Sequence, residues 1–364
     1  MKQLSCGQRL VRCLSGQEVD RVPFGVGLGW YPWGSTVRRW RQESGNPQLD
    51  IGKELGYERG FVVPDVKFGI WPEFERKVIE KTPEYEIVRN ERGIVTRQIS
   101  GSDSMPEWLD YPVKSADDWD RLKKEHLDPN APGRIPQDWD AFRACLQETG
   151  EAVQVGIFPW GVFGTPRDFL GVEELLMGFY EQPDLIRDMM DHLTTLWLSV
   201  YQRVAAEVQI DHIHIWEDMS GRQGSLISPQ MVRDFMMPCY RRIVDFAKAH
   251  KVRLISVDTD GDCAQLMPVF MEHGVNAMMP FEVQAGNDIR LVRRQYPALG
   301  IMFGLDKRAL ALGRAEIDQE VEKAREMIAS GRYLPGFDHL IPPDVSWDNF
   351  RYAAGRLREV CHNP

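Results

Sequence analysis

The chain has 364 residues, of which 43% are hydrophobic and 27% charged, so it can bury a large core like an ordinary globular protein. Its formal net charge is −10 and it has no run of Lys or Arg, which argues against nucleic acid or an anionic membrane as the main partner. The first residues lack the apolar core of a secretory signal, and no stretch is apolar enough to span a membrane, so we expect a cytoplasmic protein.

The first part of the chain predicts two strands followed by a region of weaker pattern. A short helix is predicted over 7–14 and strands over 22–28 and 61–66. Within 67–150, alternation over 86–100 predicts a β-hairpin that turns at 90–93, and helices are predicted at 115–126 and 137–149. We interpret 67–150 as an insertion that decorates a single domain covering residues 1–364.

From about residue 153 onward, strands and helices alternate regularly. Predicted strands cover 153–157, 210–216, 253–257, 275–279, 299–303 and 333–337, and predicted helices cover 181–208, 229–250, 262–273, 287–295, 315–330 and 345–361. Such alternation implies parallel pairing, because each crossover returns the chain to the same edge of the sheet. With the two earlier strands, about eight strands are predicted, which is the number that a closed β/α barrel requires. The sequence therefore predicts an α/β fold, a (β/α)8 TIM-type barrel with an inserted β-hairpin and helices in its N-terminal half.

Charged residues follow five successive predicted strands, at the end of a β/α barrel where active sites form. Carboxylates that converge there without matching cations are electrostatically costly, because like charges disfavour ionisation in a pocket of low dielectric. Four features could offset this cost. They are raised pKa values of carboxyl groups that act as acids or bases, a cationic substrate, neighbouring cationic side chains and a bound metal ion. The candidate catalytic residues are Glu217, Asp258, Asp260, Glu282 and His339.

Other residues near the same strand ends are candidates for binding a substrate. His212 and His214 face one side of a strand, where polar filling of a barrel layer is the simpler interpretation, although His214 lies nearer the ligand end. Asp262 suits the N-cap of the helix predicted at 262–273. Neighbouring acidic and basic side chains at 306–307 form either a solvated ion pair or a pair that orients a substrate.

The candidate substrate-binding residues are Trp30, Trp33, Trp160, His214, Asp306 and Lys307. The tryptophans favour a flat or methylated organic ligand.

Asp258, Asp260 and His339 also make a nitrogen and oxygen ligand set that suits zinc. No ligand spacing of high specificity, such as HExxH, accompanies them. Zinc is therefore a candidate cofactor. The six cysteines are scattered, which favours reduced thiols over a disulfide framework.

Short segments spread over nearly the whole chain carry a family resemblance. They are Asp20–Phe24, Gly156–Gly161, Phe169–Gly171, Glu282 with Asp288 and Ile289, Gly304–Lys307, and Pro335–Pro343 followed by Asn349. At these residues the chain resembles the uroporphyrinogen decarboxylase superfamily, which also contains the corrinoid-linked methyltransferases. The resemblance implies the same barrel that the strand and helix pattern predicts.

Two departures from that superfamily bear on the subfamily. True uroporphyrinogen decarboxylases carry an Arg-Gln-Ala-Gly-Arg stretch after the first strand, and its arginines hold substrate carboxylates. Trp30–Gly34 stands there instead, which disfavours a porphyrinogen substrate. Zinc-bearing methyltransferases carry His-x-Cys-Gly at the end of a late strand and another Cys near the last one. This chain has Asp258–Gly261 and then Asp338 with His339, so the sulfur ligands are absent. This disfavours a zinc ion that activates a thiol and leaves a harder oxygen and nitrogen site as the alternative.

The leading hypothesis is a methyltransferase component that moves a methyl group between a small methylated substrate, an aryl methyl ether or a methylamine, and the cobalamin of a partner corrinoid protein. This chemistry needs an acid or Lewis acid to improve the leaving group, and an open mouth to admit the corrin. One alternative is a decarboxylase or related lyase, in which Asp258 or Asp260 stabilises a cationic intermediate. Another is a non-catalytic barrel that only binds a ligand.

Overall fold

A computed structural model describes residues 3–103 and 105–363. In this part of the chain the strands are β1 (Phe61–Val62), β2 (Lys77–Lys81), β3 (Tyr85–Arg89), β4 (Val95–Ile99), β5 (Glu107–Asp110), β6 (Ala152–Val155), β7 (His212–Trp216), β8 (Ser220–Gly221), β9 (Gly224–Ser225), β10 (Leu254–Asp258), β11 (Ala277–Met279), β12 (Gly300–Met302) and β13 (Tyr333–Leu334).

The α-helices in the same residues are α1 (Cys6–Leu14), α2 (Gly34–Glu43), α3 (Ile51–Leu55), α4 (Ala116–His126), α5 (Asp140–Thr149), α6 (Gly164–Leu170), α7 (Val172–Glu181), α8 (Pro183–Glu207), α9 (Pro229–Met231), α10 (Met237–Ala249), α11 (Met267–Glu272), α12 (Ile289–Gln295), α13 (Ala309–Leu312), α14 (Arg314–Ala329) and α15 (Trp347–His362). Short 3₁₀ turns form at Leu28–Trp30 and Val283–Ala285. None of the described helices is both long enough and apolar enough to cross a membrane.

A parallel sheet forms the centre of the molecule. Its strands lie in the order β1-β6-β7-β10-β11-β12-β13, and every neighbouring pair is parallel. All residues of β7 and β10 are buried, as expected when helices cover one face of a parallel sheet and side chains fill the other. The α/β class and the parallel pairing predicted from the alternating pattern are confirmed.

The strand predicted at 22–28 does not form. Gly25 and Gly27 adopt φ angles of 74° and 88°, which interrupt an extended ladder. The segment is held by separate hydrogen bonds instead. The Phe24 carbonyl accepts from the Glu58 N–H (3.0 Å), near β1, and the Gly29 carbonyl accepts from the Phe337 N–H (3.0 Å), beyond β13. The prediction of a strand here is wrong, and the described central sheet contains seven strands.

The inserted region contains an antiparallel sheet in the order β2-β3-β4-β5. The hairpin predicted over 86–100 is confirmed, since β3 pairs with β4 around a turn in which Gly93 has a φ of 84°. Helices α4 and α5 confirm the two predicted after it.

Arg134 ties the loops of this region together. Its side chain is fully buried, and its guanidinium donates to the backbone carbonyls of Lys67, Gly69, Trp71, His126 and Asp128. An arginine can satisfy so many acceptors because its planar head carries five N–H groups. The buried cation thus replaces regular secondary structure as the anchor of this segment.

Two helices predicted in the second half are shorter than expected. The helix predicted over 229–250 is divided by a π-helical turn at Val232–Met236 that separates α9 from α10. The helix predicted over 262–273 begins only at Met267. The Asp262 carboxylate accepts a hydrogen bond from the Ala264 N–H (3.0 Å) in a turn before it, so the N-cap interpretation of Asp262 is wrong.

Candidate functional site

Asp258, the last residue of β10, lies at the floor of a mouth formed by the carboxyl ends of the parallel strands. Burial raises the pKa of this carboxyl group well above its usual range, and the negative charges of Asp260 and Asp218 raise it further. Within the described residues no hydrogen bond reaches its carboxyl oxygens, and the nearest ionisable nitrogen is Nε2 of His214, 3.7 Å from Oδ2. The surroundings of Asp258 therefore favour the protonated form of its carboxyl group.

Asp260 and His339 form a pair at the same mouth. Nε2 of His339 lies 3.6 Å from Oδ2 of Asp260. Burial lowers the pKa of His339, but the hydrogen bond and the charge of Asp260 outweigh burial, so the pKa is raised overall. The structure therefore brings three of the predicted catalytic residues, Asp258, Asp260 and His339, to one place.

Glu282 and Lys307 complete the polar mouth. Glu282 accepts a hydrogen bond from the Gly261 N–H (3.0 Å), and Nζ of Lys307 lies 3.9 Å from Oε1 of Glu282. The same Nζ lies 3.4 Å from Oδ1 of Asp338, a fully buried carboxylate that also accepts from the Val283 N–H. Lys307 thus supplies a compensating cation for this acidic site.

The predicted ion pair between Asp306 and Lys307 is absent from the described contacts. The Asp306 carboxylate instead binds the guanidinium of Arg308, at 2.6 Å. Of these two predicted substrate-binding residues, the structure places Lys307 in the mouth and leaves Asp306 engaged outside it. Adjacent residues diverge here because a loop directs successive side chains to different sides.

Glu217 is also placed differently from the other predicted catalytic residues. It is completely buried, and its carboxylate accepts from the backbone N–H groups of Val162, Phe163 and Gly164 and from the Tyr240 hydroxyl (2.6 Å). Burial raises its pKa to about 7, against the opposing effect of these four donors. Glu217 therefore holds the loop that opens α6 and does not open to the mouth.

A neutral polar layer lies beneath Asp258. The Ser256 hydroxyl lies 2.7 Å from Nε2 of His212 and 3.0 Å from Nδ1 of His214. Burial lowers the pKa of His214 to about 4, and burial also lowers the pKa of His212 well below its usual value. The prediction that both rings face one side of the strand is confirmed, and their environment fits polar filling of the interior.

The three predicted tryptophans separate in the structure. Trp30 is fully buried, donates from Nε1 to the Pro335 carbonyl (2.8 Å) and packs against the rings of Phe24 and Phe337. It does not line the mouth, contrary to the prediction, because a large ring gains more by filling the core. Trp33 and Trp160 are half-buried, and the Trp160 ring covers Gly69.

A cleft of about 270 Å³ lies between the inserted sheet and the carboxyl ends of β6 and β7. We call it the ring cleft and define it by Arg92, Trp108, Phe158, Arg167, Trp216 and Asp218. Most of these residues were not predicted from the sequence. Trp216 and Asp218 could have been found as side chains at a strand end, but Arg92 and Trp108 reach the site only because the insertion folds over it.

The three predicted zinc ligands do not fit a metal site. Among the described residues, no group of three or more His, Cys, Asp or Glu side chains is arranged to hold a metal ion. The side chains of Asp260 and His339 instead face each other directly, and Asp258 is buried below them. We therefore derive no chemistry through zinc.

The parallel sheet and its acidic mouth, which also holds His339 and Lys307, define an enzyme of the α/β class. The family model described as uroporphyrinogen decarboxylase (URO-D) matches residues 99–360, and the chain belongs to this family.

Solved structures extend the fold comparison beyond the family model. A methyltransferase from Methanosarcina mazei is similar at 16% identity and a TM-score of 0.60, covering 98% of this chain and 99% of that one. A Listeria monocytogenes protein assigned as a vitamin-B12-independent methionine synthase is more distant, at 12% identity and a TM-score of 0.36, with 93% and 98% covered. No curated protein matches the chain. At these identities the likeness to the methyltransferase shows the fold alone.

Proposed function

We propose that the protein is a methyltransferase component that moves a methyl group from a small methylated substrate to a corrinoid, cobalamin, carried by a partner protein. In this proposal the fold works as a (β/α)8 barrel in which the segment 22–31 stands in place of the eighth strand. The observation that carries the proposal is the buried Asp258 at the floor of the mouth, which has no hydrogen bond to its carboxyl oxygens within the described residues and whose pKa is raised by burial. A carboxyl group whose pKa is raised can act as a general acid and protonate a poor leaving group.

The reaction needs one proton, which must reach the oxygen or nitrogen atom that the methyl group leaves. As the bond between the methyl carbon and the donor atom breaks, its electron pair stays on the donor oxygen or nitrogen, and that atom takes the proton of Asp258. The Asp258 carboxylate that remains lies near the raised-pKa His339, which can return a proton through Asp260. Lys307 offsets the negative charge that this exchange leaves in the mouth.

Glu217 is a positioning residue in this scheme. Its carboxylate fixes the backbone of 162–164 at the start of α6. That loop follows Phe158, which lines the ring cleft, so Glu217 helps to set where this ring lies.

The rim of the mouth fits a corrin ring. A reduced corrinoid supplies the nucleophile that accepts the methyl group. Tyr31 is 52% exposed and lies beside the segment that follows His339, since its carbonyl oxygen accepts from the Ile341 N–H (2.9 Å), so a flat macrocycle can cover its ring. Tyr31 would hold the corrin face while the acid works below it. Family membership and the shared fold with a methyltransferase support the reaction class, whereas the corrinoid and the donor rest on the site itself.

The test is direct methyl transfer under anaerobic conditions. The protein is mixed with free cob(I)alamin and, separately, 2-methoxyphenol, dimethylamine or no donor, and the loss of cob(I)alamin absorbance is followed. We expect donor-dependent loss with matching release of the demethylated product. Absence of transfer from every donor overturns the proposal. Release of carbon dioxide from a carboxylated substrate would then favour the decarboxylase, and binding without turnover would favour the ligand-binding barrel.

A further inference from the structure

The walls of the ring cleft are aromatic and partly open. The rings of Phe158, just after β6, and Trp216, the last residue of β7, meet edge to face with centroids 4.7 Å apart. Phe158 is 60% exposed, and Trp108 of the inserted sheet is 41% exposed. Large rings left open in a concave surface are typical of sites that stack on a flat ligand.

The charges in the cleft are already balanced. The Arg92 guanidinium lies 5.9 Å from the centre of the Phe158 ring and forms an ion pair with Asp168. The Arg167 guanidinium lies 5.0 Å from the Trp216 ring centre and forms an ion pair with Asp218.

This balance selects a ligand without charge. An anionic ligand would have to displace a carboxylate that is already bound, and a cationic ligand would meet two guanidiniums. Two arginines and two aspartates leave no net formal charge, so the described lining favours a neutral ligand.

The size and position of the cleft suit one ring next to the acid. Its volume of about 270 Å³ is below the usual range of pockets for drug-sized ligands, roughly 300–1,000 Å³, and accommodates a single substituted ring. The backbone N–H of Asp218, which lines the cleft, donates to the carbonyl oxygen of Asp258 (3.1 Å). A ring in the cleft therefore lies beside the floor of the mouth.

We infer that the ring cleft binds the neutral aromatic ring of the methyl donor, so that the substrate class is an aryl methyl ether and not a methylamine. This inference rests on the proposed function and deepens it. The inserted sheet then contributes to substrate specificity through Trp108 and Arg92, which line the cleft.

The experiment measures binding separately from turnover. Isothermal titration calorimetry is carried out with phenol, 2-methoxyphenol and dimethylamine on the wild type and on Trp108→Ala, Phe158→Ala and Tyr180→Ala. Tyr180 is 77% exposed on α7 and lies outside the cleft, so its variant is the matched control. We expect both arenes to bind the wild type and the control alike, and about tenfold more weakly to each cleft variant.

The outcomes separate the inference from the proposed function. Arene affinity within twofold of wild type in both cleft variants overturns the inference, as does binding of dimethylamine without binding of either arene. If arene binding depends on Trp108 and Phe158 but no donor transfers a methyl group to cob(I)alamin, the cleft assignment stands and the proposed function fails. Because Trp108 is an exposed residue of the insertion, its variant keeps the test valid if Phe158→Ala does not fold.

Discussion

Replacing Asp258 with Asn is the sharpest test of the acid at the mouth. Asn has nearly the same shape and is neutral, but it has no proton to donate. Loss of a general acid lowers a rate by about 100- to 10,000-fold, which corresponds to roughly 3–5 kcal/mol in the barrier. At pH 4, close to the ordinary pKa of 3.8, stability should change little, because no hydrogen bond reaches the Asp258 carboxyl oxygens within the described residues and His214 is 3.7 Å away.

The pH dependence of stability of Asp258→Asn provides a second test, which addresses the raised pKa of Asp258. The folded pKa of Asp258 is raised, so between the ordinary value of 3.8 and the folded value the native state holds a proton that the unfolded state has released. Its stabilising contribution is full below the ordinary value and declines by about 1.4 kcal/mol per pH unit as the pH rises through this window. Asp258→Asn lacks this pH-dependent contribution to stability. The melting temperature of the variant should therefore rise relative to that of the wild type as the pH increases from 4.

Two assays check these expectations. Single-turnover methyl transfer at fixed pH gives the rate, and differential scanning calorimetry from pH 4 to 8 gives the melting temperatures. A variant that keeps its rate within threefold would refute the general-acid role. Melting curves that fall in parallel for both proteins would refute the buried, protonated state.

Three further substitutions test other parts of the structure. Arg134→Met should lower the free energy of unfolding by at least about 3 kcal/mol in urea titrations, because it removes a buried guanidinium that donates to five backbone carbonyls. Gly161→Ala should reduce the yield of folded protein, because its Cβ would overlap the Trp216 carbonyl and nothing there can move aside. His339→Gln should be most destabilising below pH 6.5 and less so as the pH rises through the raised pKa of His339, as followed by thermal unfolding.

Matched controls accompany these variants. Arg121→Met removes an exposed arginine from α4 and should leave stability almost unchanged. Gly221→Ala adds a Cβ that meets no atom within 4 Å. His250→Gln replaces the C-cap histidine of α10 and is the control for His339→Gln. Equal effects in a variant and its control would contradict the structural reason given for that variant.

The polar mouth was predictable because strand ends are set by local pattern. Asp258, Glu282 and His339 follow apolar segments, and parallel strands bring such positions to one end of the sheet. Two of the incorrect placements depend on packing that no local pattern shows. Glu217 also follows a strand, but the start of α6, far away in sequence, supplies its hydrogen-bond donors. Trp30 begins an aromatic segment, but its indole is buried and donates to the carbonyl of Pro335, 305 positions later.

The ring cleft was less predictable for the same reason. Residues 67–150 could be recognised as an insertion from their weak period, and the hairpin from its turn. Which face of the barrel the insertion covers is decided by tertiary contacts such as the ion pair of Arg92 with Asp168. A pattern of short range carries no information about such a contact.

The segment 22–31, which forms no strand, has a consequence for how the chain folds during synthesis. Its neighbourhood is tied to the other end of the protein: Trp30 donates to Pro335, Thr36 to Ile341 and Trp40 to Val345, each across 305 residues. Contacts of such long sequence separation form slowly and late, and during synthesis their partners do not yet exist. The indoles of Trp30 and Trp40 then stay uncovered until the last strand and helix have been translated. Chains interrupted before that point would present these two rings to chaperones and proteases.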